Sequence, residues 1–163
     1  MQHISDREIR SSFINATRSE TAKLNLPPDF DSLDWGSLDF LGWRDEKMPL
    51  RGYIVMPTES GFTGVLLRAP EGGAKKNRSV LCEICRDVFS KEDVLLWVAR
   101  RAGQPGRNGN TVGTLMCADF VCSANVRKAP PADEINPDPA VVVQRRIGEL
   151  DLRIRKFLAR VAE

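Results

Sequence analysis

Cys82-Glu83-Ile84-Cys85 and Cys117-Ala118-Asp119-Phe120-Val121-Cys122 contain every cysteine of the chain, with 31 residues between the two pairs. Four thiols in two close pairs are compatible with disulfides, with buried free cysteines, or with one tetrahedral metal site. Disulfides persist in oxidising compartments. The opening Met1 to Arg10 has no apolar run of the kind a secretory signal needs, and no window reaches the roughly 18 apolar residues of a membrane span. The expected setting is therefore cytoplasmic, and the expected occupant is one Zn2+. A two-residue gap lets a tight turn aim both sulfurs at one ion. A four-residue gap suits a strand end delivering Cys117 and a helix first turn delivering Cys122. Knuckle, strand, then helix is the order of a treble clef. A zinc ribbon would ask for a second C-x2-C after about 15–20 residues. Four thiolates close the coordination sphere, so the site is expected to be structural rather than catalytic.

Working outward, Val94 to Ala99 is a continuous apolar run, read as a buried strand. Ala102 to Thr111 reads as loop from end to end, with Asn108-Gly109 as a tight hairpin turn. Thr111 to Met116 returns as a strand that presents Cys117, and Asp119 to Val126 reads as a short helix. Upstream, Arg51 to Pro57 and Phe62 to Arg68 form a β-hairpin around Thr58-Glu59-Ser60-Gly61. Pro70 to Asn77 is a Gly/Lys-rich loop. Ser5-Asp6-Arg7-Glu8 is a capping box that opens an expected helix over 6–20. Trp35, Phe40 and Trp43 lie close together; such aromatics pack on a core or line a groove. Ala129 to Pro139, with four prolines, is a spacer. Beyond it Val143, Ile147, Leu150, Ile154, Phe157 and Val161 recur at steps of 4, 3, 4, 3 and 4, one helical seam. That seam covers the chain's own hairpin or N-terminal helix, or else pairs with a second copy.

The expected fold is thus α+β: a small antiparallel sheet with a treble-clef zinc finger and flanking N- and C-terminal helices. Three parts are expected in one compact unit: 1–78, the finger at 79–128, and 129–163. Apolar content of 42% and charged content of 28% are those of an ordinary globular protein. Charge is uneven. Lys75 to Lys128 holds ten Lys/Arg against five Asp/Glu, a net +5, and the rest holds fourteen against seventeen, a net −3. Such a finger suits an anionic partner, or else these are solvated loop charges.

Catalytic patterns are missing. His3 is the only histidine, which argues against a histidine triad or a histidine-ligated open zinc site. The zinc-deaminase signature and the nucleotide-binding glycine motifs are absent, and Gly103 to Gly106 is too weak for a phosphate loop. The chain is read as a binding protein, not an enzyme, with no membrane and no small-molecule substrate.

The stretches C-E-I-C, V-L-L-W-V-A-R-R-A-G and G-R-N-G-N-T-V-G-T-L-M-C-A-D-F-V-C-S-A-N-V-R together resemble the treble-clef zinc finger of the elongation factor G-binding (FBP-type) family. The fusidic acid resistance proteins belong to that family. The match is specific over Leu81 to Arg127 and looser back to about Trp43. The resemblance implies a finger that docks on elongation factor G and helps it leave the ribosome. It places the contact surface at Glu83, Ile84, Arg107, Asn108, Gly109, Asn110 and Thr111. Two departures stand out: the resistance proteins carry a helical bundle before the finger domain, which about forty residues here cannot hold, and the terminal helix reads as an addition. A competing reading is direct RNA binding through Arg100, Arg101, Arg107, Arg127 and Lys128. A third is a purely structural zinc, with function at the Trp35/Trp43 segment.

Overall fold

The computed structural model describes residues 1–71, 80–88, 90–131 and 138–163. Five antiparallel strands, β1 (Leu41–Arg44), β2 (Arg51–Thr58), β3 (Gly61–Arg68), β4 (Val94–Arg100) and β5 (Thr111–Cys117), form one sheet in chain order. The hairpin is where the alternation and the polar turn place it, with Thr58 paired to Gly61 across the turn. The expected loop over 70–77 lies mostly outside the described residues, as does the spacer over 132–137.

A strand's side chains alternate between faces, so the sheet carries two cores. Ile54, Met56, Val65, Leu67, Trp97 and Met116 face the finger and the C-terminal helix. Leu41, Trp43, Tyr53, Val55 and Leu66 face an N-terminal arm that brings Ile4, Ile9 and Leu24.

That arm is not the single helix expected over 6–20. The Ser5–Glu8 capping box is present, but α1 (Asp6–Ser12) stops at Phe13, whose backbone is extended. Phe13 bridges to Gly64, and the Ile14 N–H donates to the Gly64 carbonyl at 3.0 Å. Docking against β3 outcompetes local helix propensity. The approach needs glycine: a Cβ on Gly64 would sit 2.4 Å from Ser12 Oγ. A second capping box, Thr17 with Glu20, then starts α2 (Arg18–Ala22). The T-x-x-E spacing signals that restart. Asn15, at the break, donates from Nδ2 to the carbonyls of Leu66 and Arg100, each at 3.0 Å, while its Oδ1 accepts the Leu66 N–H at 2.8 Å. It stitches β3 to β4 where their register is short.

Two further expectations change. β4 is a strand, but only its alternate residues are buried; Leu96 is 44% exposed because the N-terminal arm covers β1–β3 and leaves this face partly open. The connection expected to be loop throughout contains a helical turn, α3 (Gly103–Arg107). Its packing leaves no room at Gly106, where a Cβ would lie 1.8 Å from the Arg101 carbonyl oxygen. Asn108 closes that turn by donating its N–H to Gln104 O at 3.0 Å, and Gly109 takes φ 88°. The Asn108-Gly109 pair therefore ends a helix instead of making a two-residue hairpin turn.

The terminal helix, α5 (Pro139–Ala162), buries Val142, Leu150, Ile154, Phe157, Leu158 and Val161 within its own chain. Its contacts are with the finger helix α4 (Cys122–Arg127) and β5, and it shares a core with Ile54 and Met56 of the hairpin. The N-terminal helix lies over the other core. At the start of the helix Val142 is buried and Val143 only partly so.

Candidate metal centre

The knuckle after Leu81 turns because the Arg86 N–H donates to Cys82 O at 3.0 Å, with Arg86 held at φ 51°. Few non-glycine residues take that conformation, so the turn is held from outside. Glu83 supplies the hold: its N–H reaches Leu115 O at 2.8 Å, and its carboxylate accepts from Thr114 Oγ1 at 2.7 Å and the Leu115 N–H at 3.2 Å. The knuckle thereby lies along the outer edge of β5. Cys117 ends β5 and Cys122 begins α4, the strand-end and helix-start placement that the four-residue gap implies.

Between those cysteines, Phe120 at φ 58° turns back over the sheet. Its ring lies 4.9 Å from Trp97, and Cβ atoms on Gly42 or Gly52 would come within 3.1 or 2.5 Å of that ring. Those two glycines open a slot that seats the metal loop on β1 and β2. Sequence reasoning missed Phe120, because nothing local marks a phenylalanine as a wedge.

The four sulfurs lie within 4.8 Å of one another, and Cys82–Cys122 and Cys85–Cys117 are each 3.7 Å apart. That is far beyond a disulfide bond of about 2.05 Å, and all four cysteines are free and buried. Four sulfurs around one ion with Zn–S of about 2.3 Å stand roughly 3.8 Å apart in a tetrahedron. The donors fit. Among the thiols themselves, hydrogen bonds from Cys117, Cys122 and Cys85 favour the Cys82 thiolate and lower its pKa. Cys122 is pushed well up by its bonds to Cys117, Cys82 and Cys85 and by burial. One shared dication resolves that competition, since metal ligation requires thiolates.

Of the other expected contact residues, only Ile84 is withdrawn from the surface. Ile84 is 2% exposed and belongs to the core, so its side chain is not on a partner surface; the knuckle turns it inward. Glu83 is exposed but engaged on β5. Arg107, Asn108, Gly109, Asn110 and Thr111 are exposed. The β4–β5 register pairs Val94 with Cys117 at one end and Arg100 with Thr111 at the other. Six strand steps put the loop about 20 Å from the metal end.

The basic residues are divided, and three of them meet carboxylates. Arg100 binds Glu20 at 2.9 Å, Arg101 meets Glu163 at 3.5 Å, and Arg127 makes a two-pronged pair with Asp39. Lys128 Nζ donates to Asn125 Oδ1 at 2.7 Å. Charge counting on sequence could not see these partners, because Glu20, Asp39 and Glu163 lie outside the basic stretch. In the aromatic segment, Trp43 stacks on Tyr53 at 4.8 Å and is 5% exposed. Trp35 meets His3 and Phe30 edge-on. These rings pack the second core.

Among the described residues no helix is long and apolar enough to cross a membrane. No curated protein matches the chain. A solved structure, that of the fusidic acid resistance protein FusC, is 22% identical with a TM-score of 0.50. It covers 83% of this chain and 52% of its own, so the chain spans about half the length of that protein. The family model for the FBP C-terminal treble-clef zinc-finger matches residues 8–161. The match is wider than Leu81 to Arg127, and it takes in the terminal helix, which is part of the family pattern and not an addition. With the donor geometry, this establishes one structural Zn2+ held by Cys82, Cys85, Cys117 and Cys122. The chain belongs to the FBP C-terminal treble-clef zinc-finger family.

Proposed function

We propose that this protein works by binding and not by catalysis: in the cytoplasm it docks on elongation factor G and promotes release of the factor from the ribosome. The observation that carries this reading is the family match over residues 8–161, combined with a four-sulfur site that leaves no ligand position for a substrate. The exposed Arg107 to Thr111 loop supplies the contact. Arg107 offers a guanidinium fork to a carboxylate, and its Nε is steadied by Gln104 Oε1 at 2.9 Å. The helical turn before Asn108 holds the loop in shape, which limits the entropy lost on docking. Direct RNA binding draws less support, because Arg100, Arg101 and Arg127 already face carboxylates.

Calorimetry with purified elongation factor G tests the reading. The zinc-loaded protein binds the factor, and Arg107→Ala with Asn108→Ala weakens binding by at least about 2 kcal/mol while zinc content stays intact. An unchanged affinity would move the interface elsewhere. No binding by the unaltered protein would end the elongation-factor reading, and a steep loss of ribosome association with salt would favour RNA.

A further inference from the structure

A zinc ion with four thiolates carries a formal charge of −2, and here all four sulfurs are buried. A buried charge persists only where hydrogen bonds or opposite charge compensate it. The described residues contain one side chain built for that task. Asn125, 1% exposed, points Nδ2 at Cys117 Sγ (3.6 Å) and Cys85 Sγ (3.8 Å), and also at Ser90 Oγ (3.4 Å). Its Oδ1 receives the Lys128 ammonium at 2.7 Å. The network sets the orientation of the amide: acceptors surround the nitrogen and a cation meets the oxygen. Asn125 sits three residues after Cys122 on α4, so the helix that delivers one ligand also delivers this amide over two others.

We propose that Asn125 is a positioning residue for the zinc centre, with Lys128 as its polarising partner. The amide N–H groups donate to the Cys85 and Cys117 thiolates, draw charge from the sulfurs and hold their direction. Lys128 pulls on the carbonyl end, strengthens those donors, and brings a positive charge to within one residue of the sulfurs. The pair sets how tightly the metal is held and how readily the thiolates react. Groups that orient metal ligands in this way typically change metal affinity 10–100-fold when removed. The inference goes beyond the proposed function and does not depend on it, since it concerns only the chain and its metal.

The test uses the full chain with Asn125→Ala, Asn125→Asp and Lys128→Met. Zinc affinity is read by competition with a chromogenic chelator. Cobalt(II) substitution gives the sulfur-to-metal charge-transfer band as a second readout. Asp has the shape of Asn but offers no N–H and adds negative charge. A mere packing role therefore predicts that Asn125→Asp behaves like the unaltered chain. The proposal predicts that Asn125→Ala loses zinc affinity by about tenfold or more, that Asn125→Asp loses more than Asn125→Ala, and that both move the cobalt band. Lys128→Met, on the exposed end of α4, gives a smaller loss in the same direction. Zinc affinity within twofold of the unaltered chain in Asn125→Asp, with an unmoved band, overturns the proposal. If both Asn125 variants fail to fold, Lys128→Met decides alone: faster zinc transfer to the chelator supports the pair, and an unchanged rate overturns it.

Discussion

The two faces of the sheet solve the same problem by different chemistry. On the finger side, a core of Trp97, Met116, Ile84 and Phe120 closes around four thiols, and a metal ties the knuckle, β5 and α4 together. On the other side the described residues gather no further metal-binding cluster. The N-terminal arm has little regular structure, two helices of seven and five residues, and is held by buried polar groups. Asn15 links β3 to β4. Asp45, 1% exposed, accepts from the Tyr53 hydroxyl at 2.8 Å, from Asn25 Nδ2 at 3.1 Å and from the Lys47 and Met48 N–H groups at 2.9 and 3.0 Å. Glu20 ties α2 to Arg68 and Arg100. The contrast teaches that short irregular segments need a strong, directional centre. A dication provides it on one face, and a saturated carboxylate and amide provide it on the other.

Breaking the metal side should have the largest effect. Structural zinc contributes roughly 10–16 kcal/mol in finger peptides, against a net domain stability of about 5–15 kcal/mol. Cys82→Ala is expected to abolish zinc binding and unfold the finger, followed by metal analysis and near-ultraviolet circular dichroism. A cooperative unfolding transition at an unaltered temperature would show that the metal is dispensable.

Next comes the wedge that joins the metal loop to the sheet. Phe120→Ala empties the slot over Gly42 and Gly52 and should cost about 3–5 kcal/mol, read from urea denaturation. Zinc stays bound, because no ligand is touched. A cost below about 1 kcal/mol would mean that the cysteines alone seat the loop.

The smallest of the three effects is on the polar side, and it depends on pH. Burial pushes the Asp45 carboxyl up, but the bonds from Tyr53, Asn25, Met48 and Lys47 outweigh it, and its pKa lies below the ordinary value. Burial and then the same contact push the Tyr53 hydroxyl up. A carboxylate with a lowered folded-state pKa adds stability that is complete above its unfolded value near 3.9. That stability is lost as pH falls through the folded value. Asp45→Asn should therefore cost about 1–3 kcal/mol at neutral pH, and the gap to the unaltered chain should narrow on acidification. An equal gap at pH 7 and pH 3 would remove the charge from the explanation.

The metal side was the more legible of the two in sequence, for a physical reason. Cys82, Cys85, Cys117 and Cys122 announce their geometry through spacing, since two residues span a turn and four span a strand-to-helix corner. The capping box at Ser5, the hairpin strands and the seam of α5 are equally local, and each stands within a residue or two of its expected place. The errors fall where packing overrides the local signal. Phe13 leaves the helix to meet Gly64. The connection after Arg100 coils because Gly106 can press against Arg101. Ile84, beside a ligand, turns inward with the knuckle.

By itself, then, the amino-acid order determined the four ligands, the α+β class, the hairpin and the amphipathic terminal helix, because turns, caps and alternation are set within a few bonds. The tertiary structure alone decided which basic residues stay charged against an acid and which rings are core. It also decided that Phe120 would fill the slot left by two glycines, and that Asn125 would carry the Lys128 charge toward two sulfurs. Those outcomes depend on groups such as Arg127 and Asp39, 88 residues apart, and Asn125 and Cys85, 40 residues apart, whose meeting is fixed by how the sheet and the helices pack and not by any local preference.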